Sequence, residues 1–65
     1  MSYVVGKRVY SEIPKIITIN DYSYVGVFKD YDSADKYIAL MRADSSTKGL
    51  IYEIFSIKEW QKRDN

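Results

Sequence analysis

The residues predict an α+β fold: a small, mainly antiparallel sheet of three to four strands with one helix packed on one face, in the order β-β-β-α-β. Two observations carry this. Runs rich in Val, Ile and Tyr recur at Tyr3–Tyr10, Lys15–Ile19, Tyr22–Phe28 and Leu50–Ile57. They are short, and several alternate as strands do when successive side chains point to opposite faces. After Phe28 the period changes. Ala34, Tyr37, Ile38 and Met41 fall at i, i+3, i+4 and i+7, which is one face of a helix. A helix laid on one face of an antiparallel sheet is the economical way to bury both patterns.

In chain order, Tyr3, Val5 and Val9 share one face of the first strand, and Val4 and Tyr10 the other. Pro14 has no N–H to donate and marks a break or a strand edge. Ile16, Ile17, Thr18 and Ile19 are β-prone and read as a second strand, with a hairpin turn at Asn20-Asp21. In the next strand Val25 and Val27 alternate with Gly26 and Phe28. Gly26 weakens a strand unless something approaches it closely, either a crossing helix or the backbone of a ligand or partner. The helix is expected over Ser33–Asp44, capped by Asp32 or Ser33, with Asp35 favoured by the helix dipole in its first turn. Leu40 widens its apolar stripe. Asp44-Ser-Ser-Thr-Lys-Gly49 ends it, Gly49 permitting a left-handed turn. Tyr52 and Ile54 share one face of the last strand, and Ile51, Phe55 and Ile57 the other. Ser56 and Glu59 have capping-box spacing, so a short C-terminal helical turn would place Trp60. The expected core is Phe28, Ala34, Tyr37, Ile38, Met41 and Ile54.

One helix covers one sheet face, yet the strands at 22–28 and 50–57 are apolar or aromatic on both. An antiparallel sheet with a solvated face usually alternates apolar with polar. The second face is therefore expected to meet something: the tail around Trp60, a second copy of the chain, or a partner.

Length and composition narrow the function. The 65 residues form a single domain, 1–65, of a size that is marginal alone and usually needs disulfides, metal or oligomerisation. There is no Cys and no His, which removes disulfides and the usual zinc sites. Unusually good packing or self-association, most simply a homodimer, is the remaining support. A net charge of +1 is not the one-sided footprint of a nucleic-acid binder. No apolar run reaches membrane-spanning length, and the N-terminus lacks signal-peptide order, so a cytoplasmic protein without membrane contact is expected. No candidate catalytic residue emerges. Asp30, Asp32 and Asp35 read as helix-start residues and do not follow an EF-hand loop. Ser45-Ser46 reads as a loop, and the three glycines form no phosphate cradle. No enzyme activity, metal or cofactor is expected.

Gly26-Val-Phe28, a polar turn, Ala34, Tyr37-Ile38 and a later Tyr52-Glu-Ile54 together resemble a pattern seen in small uncharacterised bacterial and bacteriophage proteins. Those proteins have a hairpin, a GVF strand-to-helix segment and a closing YEI strand. The resemblance covers about residues 24–57 and rests on core positions; the isoleucine-rich Pro14–Ile19 segment is longer than the pattern. It implies the fold and a prokaryotic or phage setting, hence the host cytoplasm if phage-encoded. It brings no catalytic residue.

The seven tyrosines are a large share of so short a chain. Tyr and Trp are favoured in protein interfaces because they bury much area with few rotatable bonds. The expected function is a non-enzymatic protein-binding module, most simply a small phage or prokaryotic inhibitor or modulator of a host protein. Tyr3, Tyr10, Tyr22, Tyr24 and Trp60 are its candidate contact residues. One alternative is nucleic-acid binding, with sheet aromatics stacking bases and Lys7, Arg8 and Lys15 meeting phosphates. Another is a homo-oligomer that holds a small nucleotide-like ligand between subunits.

Overall fold

The computed structural model describes residues 2–13 and 15–63. Three strands, β1 (Tyr3–Val9), β2 (Ser23–Phe28) and β3 (Leu50–Ser56), form an antiparallel sheet with β1 in the centre, in the order β2-β1-β3. Because β2 and β3 are each antiparallel to β1, they run parallel to one another. Helix α1 (Tyr31–Ala43) joins them across the sheet, and a short helix α2 (Ile57–Gln61) follows β3 directly. The fold is the expected α+β class, with one strand fewer than the longest reading.

The missing strand is Lys15–Ile19. The described part of this segment lies outside the sheet and ends in a single 3-10 turn, Ile19–Asp21, in place of the expected hairpin turn. The Asp21 carboxylate accepts from the Thr18 backbone N–H at 2.8 Å and from Lys15 Nζ at 3.3 Å, and Thr18 Oγ1 accepts from the Asn20 N–H. These local bonds take up backbone groups that a sheet ladder would have used. β propensity expresses packing on a half-buried surface, and Ile16 has none, being 89% exposed. The break assigned to Pro14 lies outside the described residues.

Helix α1 starts two residues earlier than its pattern suggests. Asp30 is the N-cap, its carboxylate accepting from the Ser33 N–H at 2.7 Å, and Asp32 occupies the first turn where Asp35 was expected. At the far end the Asp44 carboxylate accepts from the Ser46 N–H and opens a second 3-10 turn. Gly49, at φ 91°, then leads into β3 in a conformation that disfavours any residue with a Cβ. Ala34 and Ile38 are buried on the sheet against Val5 and Tyr52. Val25, Phe28, Tyr37, Met41, Leu50 and Ile54 pack around them. Leu40 does not widen this stripe; it faces solvent.

Two local features depart from simple alternation. Val5 pairs with Gly26 but Gly6 pairs with Tyr24, so Val25 has no opposite number on β1. This bulge turns Val25 to the helix side along with Phe28 and leaves Val27 half exposed. Gly26 is not closely approached, since a Cβ there would meet only the Phe28 ring at 3.7 Å. The tight glycine is Gly6. A Cβ at that position would lie 3.0 Å from Tyr22 Cβ, 3.1 Å from Trp60 and 3.2 Å from Phe55.

Val4 and Val5 settle how the sheet is covered. Successive strand residues point to opposite faces, and both are 0% exposed. Helix α1 covers the Val5 side. On the Val4 side the aromatic groups Tyr22, Phe55 and Trp60 close over Gly6. The tail around Trp60 is thus what meets the second face within this chain.

The acid response of the fold follows from its caps. The carboxyls of Asp21, Asp30 and Asp44 are held below the usual range, chiefly by the backbone N–H groups of Thr18, Ser33 and Ser46. A carboxyl whose folded pKa lies below its unfolded value contributes stability that is complete above the unfolded pKa. That contribution is lost as pH falls through the folded pKa. Stability should therefore drop on acidification below about pH 4. Asp30→Asn keeps a capping oxygen but does not titrate. Its urea midpoint should change less between about pH 6 and about pH 3 than that of the wild type; an equal change would contradict the assignment of Asp30 as cap.

Candidate functional site

The second sheet face brings together residues from four parts of the chain. Gly6 and Arg8 come from β1, Tyr22 from the residue just before β2 and Tyr24 from β2 itself, Glu53 and Phe55 from β3, and Trp60 and Arg63 from the tail. Ser56 caps α2, its Oγ accepting from the Glu59 N–H at 3.2 Å and donating to the Glu59 carboxylate at 3.1 Å. The cap turns the chain immediately after β3 and lays Trp60 back across the sheet. The bare Cα of Gly6 makes room for its ring.

The rings form a connected cluster. Tyr22 and Phe55 meet edge to face at 5.0 Å between centroids; Phe55 and Trp60 lie tilted at 5.7 Å, and Tyr24 and Trp60 tilted at 6.3 Å. Such pairs add to simple area burial through the ring quadrupoles. Two guanidiniums lie against the cluster. Arg63, three residues after Trp60 and bonded through its N–H to the Trp60 carbonyl, sits 4.2 Å over the indole. Arg8 sits 5.7 Å from the Tyr22 ring centre and donates from Nε to the Tyr22 hydroxyl at 3.3 Å. That hydroxyl in turn donates to the Glu53 carboxylate at 3.1 Å. Both contacts are of cation–π type.

Of the five aromatic candidates, this face gathers three. Tyr22 is buried at 6% exposure and belongs to the core beneath the surface. Trp60 is half-buried, and Tyr24 is 58% exposed. Tyr3 lies on the opposite face, its ring edge-on to Tyr31 of α1 at 5.7 Å. Tyr10 is also 58% exposed but stands beyond the end of β1, where its N–H donates to the Gly49 carbonyl. The three basic candidates are not brought together. Lys7 falls on the Val5 side of β1, Arg8 on the Val4 side, and Lys15 pairs with Asp21 in the loop.

Gly6, Glu53, Phe55 and Arg63 were not singled out as site residues from sequence. A glycine between Val5 and Lys7 in a strand is a signal of close approach, and the i, i+3 spacing of Trp60 and Arg63 is a signal of stacking on a helical turn. Among the described residues no pocket forms. No group of three or more His, Cys, Asp or Glu among them is placed to hold a metal ion, and no described helix is long and apolar enough to cross a membrane.

No protein-family model, curated protein or solved structure matches this chain.

Proposed function

We propose that the protein is a non-enzymatic binding module that docks on another protein through the second sheet face, with Tyr24 beside Trp60 at its centre. The observation that supports this most is an exposed tyrosine set on a cluster already rigidified from below. Tyr22, Phe55 and Gly6 fix the floor, so Tyr24 and Trp60 are presented with little conformational freedom left to lose on binding. In the prokaryotic or phage setting that the resemblance implies, such a module acts as an inhibitor or modulator of a host protein in the cytoplasm.

The nucleic-acid reading is less well supported. Base stacking needs open ring faces. Arg63 lies over Trp60 and Tyr22 is buried, which leaves Tyr24 as the most open ring of the cluster. Affinity capture from a bacterial lysate at two salt concentrations separates the readings. A stoichiometric protein retained at the higher salt is expected. Nucleic acid whose retention falls steeply with salt would favour the first alternative, because phosphate contacts release counterions. A small molecule travelling with an oligomer would favour the second.

Self-association is the second part of the proposal. The tail occupies the second sheet face, and Val9, Tyr10, Ile13 and Ile16 are exposed around the β1–β2 connection. Exposed apolar side chains in such number favour association. Light scattering at micromolar concentration is expected to show a dimer. A monomer at all concentrations would remove this part and leave the docking surface untouched.

A further inference from the structure

The connection between β1 and β2 holds strand-forming residues that form no strand. Lys15–Thr18 lies outside the sheet, with Ile16 89% and Ile17 36% exposed. Its hydrogen bonds run to Asp21, from Lys15 Nζ and from Thr18, and among the described residues the N–H groups of Ile16 and Ile17 have no partner. The sheet has the complementary gap. β3 pairs with β1 in unbroken register from Ser56 opposite Tyr3 to Leu50 opposite Val9. Among the described residues nothing bonds to the backbone groups on its other side. An open, regular edge is a template for a further strand. This one contains no Pro, and its single charge, Glu53, is held by the Tyr22 hydroxyl. β2 is the poorer template, because the bulge at Val25 interrupts it.

Lys15–Thr18 cannot lie along its own β3. The Ile19 carbonyl accepts from the Tyr22 N–H at 3.2 Å, which ties the end of the segment to the start of β2. The strand order β2-β1-β3 puts β3 on the opposite edge, two strand spacings or about 10 Å away. Only another copy of the chain can therefore bring this segment and that edge together. Resting on the self-association reading above, we infer that each copy's Lys15–Thr18 segment adds as a fourth strand to the β3 edge of its partner. Ile16 and Ile17, being adjacent, then cover opposite faces of the extended sheet. The connection starts at the Leu50 end of β3, where the Tyr10 N–H donates to the Gly49 carbonyl. Exchange in both directions across that end closes the pair around a two-fold axis.

Amide hydrogen exchange of the unaltered protein, followed residue by residue below and above the concentration at which light scattering shows association, tests this. The β3 amides that face away from β1 are expected to exchange at least about tenfold more slowly in the dimer, and the outward amides of β2 at an unchanged rate. Ile16→Pro and Ile17→Pro, each shown by its melting curve to be folded, give a second reading. In an added strand successive N–H groups point to opposite sides, so one of the two prolines removes a ladder bond and the other does not. One variant is expected to weaken the dimer about tenfold or more, and the other much less. The exchange measurement decides the matter if either variant unfolds. Equal effects of the two prolines, or a dimer whose β3 amides exchange as fast as the monomer's, overturn the strand exchange and leave self-association standing. A monomer at all concentrations overturns both.

Discussion

Ile38→Ala is expected to cost about 2–5 kcal/mol, the usual range for truncating a buried isoleucine to alanine. Ile38 sits in the centre of the α1 stripe against Val5, Ala34 and Tyr52. The surrounding strands and helix restrict collapse into the space left behind. For a domain of 65 residues total stability is on the order of 3–10 kcal/mol, so this one change removes a large fraction of it. The urea midpoint measures it. Leu40→Ala, two positions along on the solvent side, is the control and should stay within about 0.5 kcal/mol. Equal midpoints for the two variants would mean that the helix presents a different face to the sheet.

Gly6→Val is expected to have the next largest effect, at or above the 1–3 kcal/mol or so typical of overpacking. The added side chain would have to displace Tyr22, Phe55 and Trp60 together, since all three lie within 3.2 Å of the position of its Cβ. The ring of Trp60 can move, but Tyr22 Cβ is next to the backbone and cannot move without shifting the start of β2. Gly6→Val should therefore lower the urea midpoint and also release Trp60 to solvent, shifting its fluorescence to the red. Gly26→Ala is the counterpart. Its Cβ meets nothing closer than 3.7 Å, so it should be neutral or stabilise by up to about 1 kcal/mol through the unfolded chain. If Gly26→Ala proves the more damaging of the two, the close approach has been placed on the wrong glycine.

These two sites mark what was and was not legible in the residues. The α1 stripe was readable because a helix packed on one surface repeats its contacts at a fixed spacing, and Ala34, Ile38 and Met41 keep to it. The ends of the helix were less clear because Asp30, Asp32 and Ser33 are all competent caps, and only the bond actually formed separates them. The isoleucines at 16, 17 and 19 read as a strand but do not form one, because their propensity says only what they would do against a neighbouring strand. Here Asp21 folds back on Thr18 instead. Val25 and Val27 were read as sharing a face, and one unpaired residue in the register sends them to opposite sides. The role of Gly6 is not legible in the sequence because the groups that crowd it come from residues 22, 55 and 60, far apart in the chain. The excess of apolar side chains over what one helix covers was legible as a mismatch, and the structure fills it in part with the tail.

The most direct test of docking through the second face compares two tyrosines of equal exposure in different places. Tyr10 and Tyr24 are each 58% exposed, so their truncation removes similar surface from solvent contact and should leave the fold intact. Only Tyr24 adjoins Trp60 and its cluster. Once a partner has been captured, its affinity is measured for the wild type, Tyr10→Ala and Tyr24→Ala, each shown by circular dichroism to be folded. The expected result is a loss of tenfold or more for Tyr24→Ala, about 1.4 kcal/mol or greater, with Tyr10→Ala close to the wild type. Unchanged affinity for Tyr24→Ala, or a loss confined to Tyr10→Ala, would contradict docking through this face.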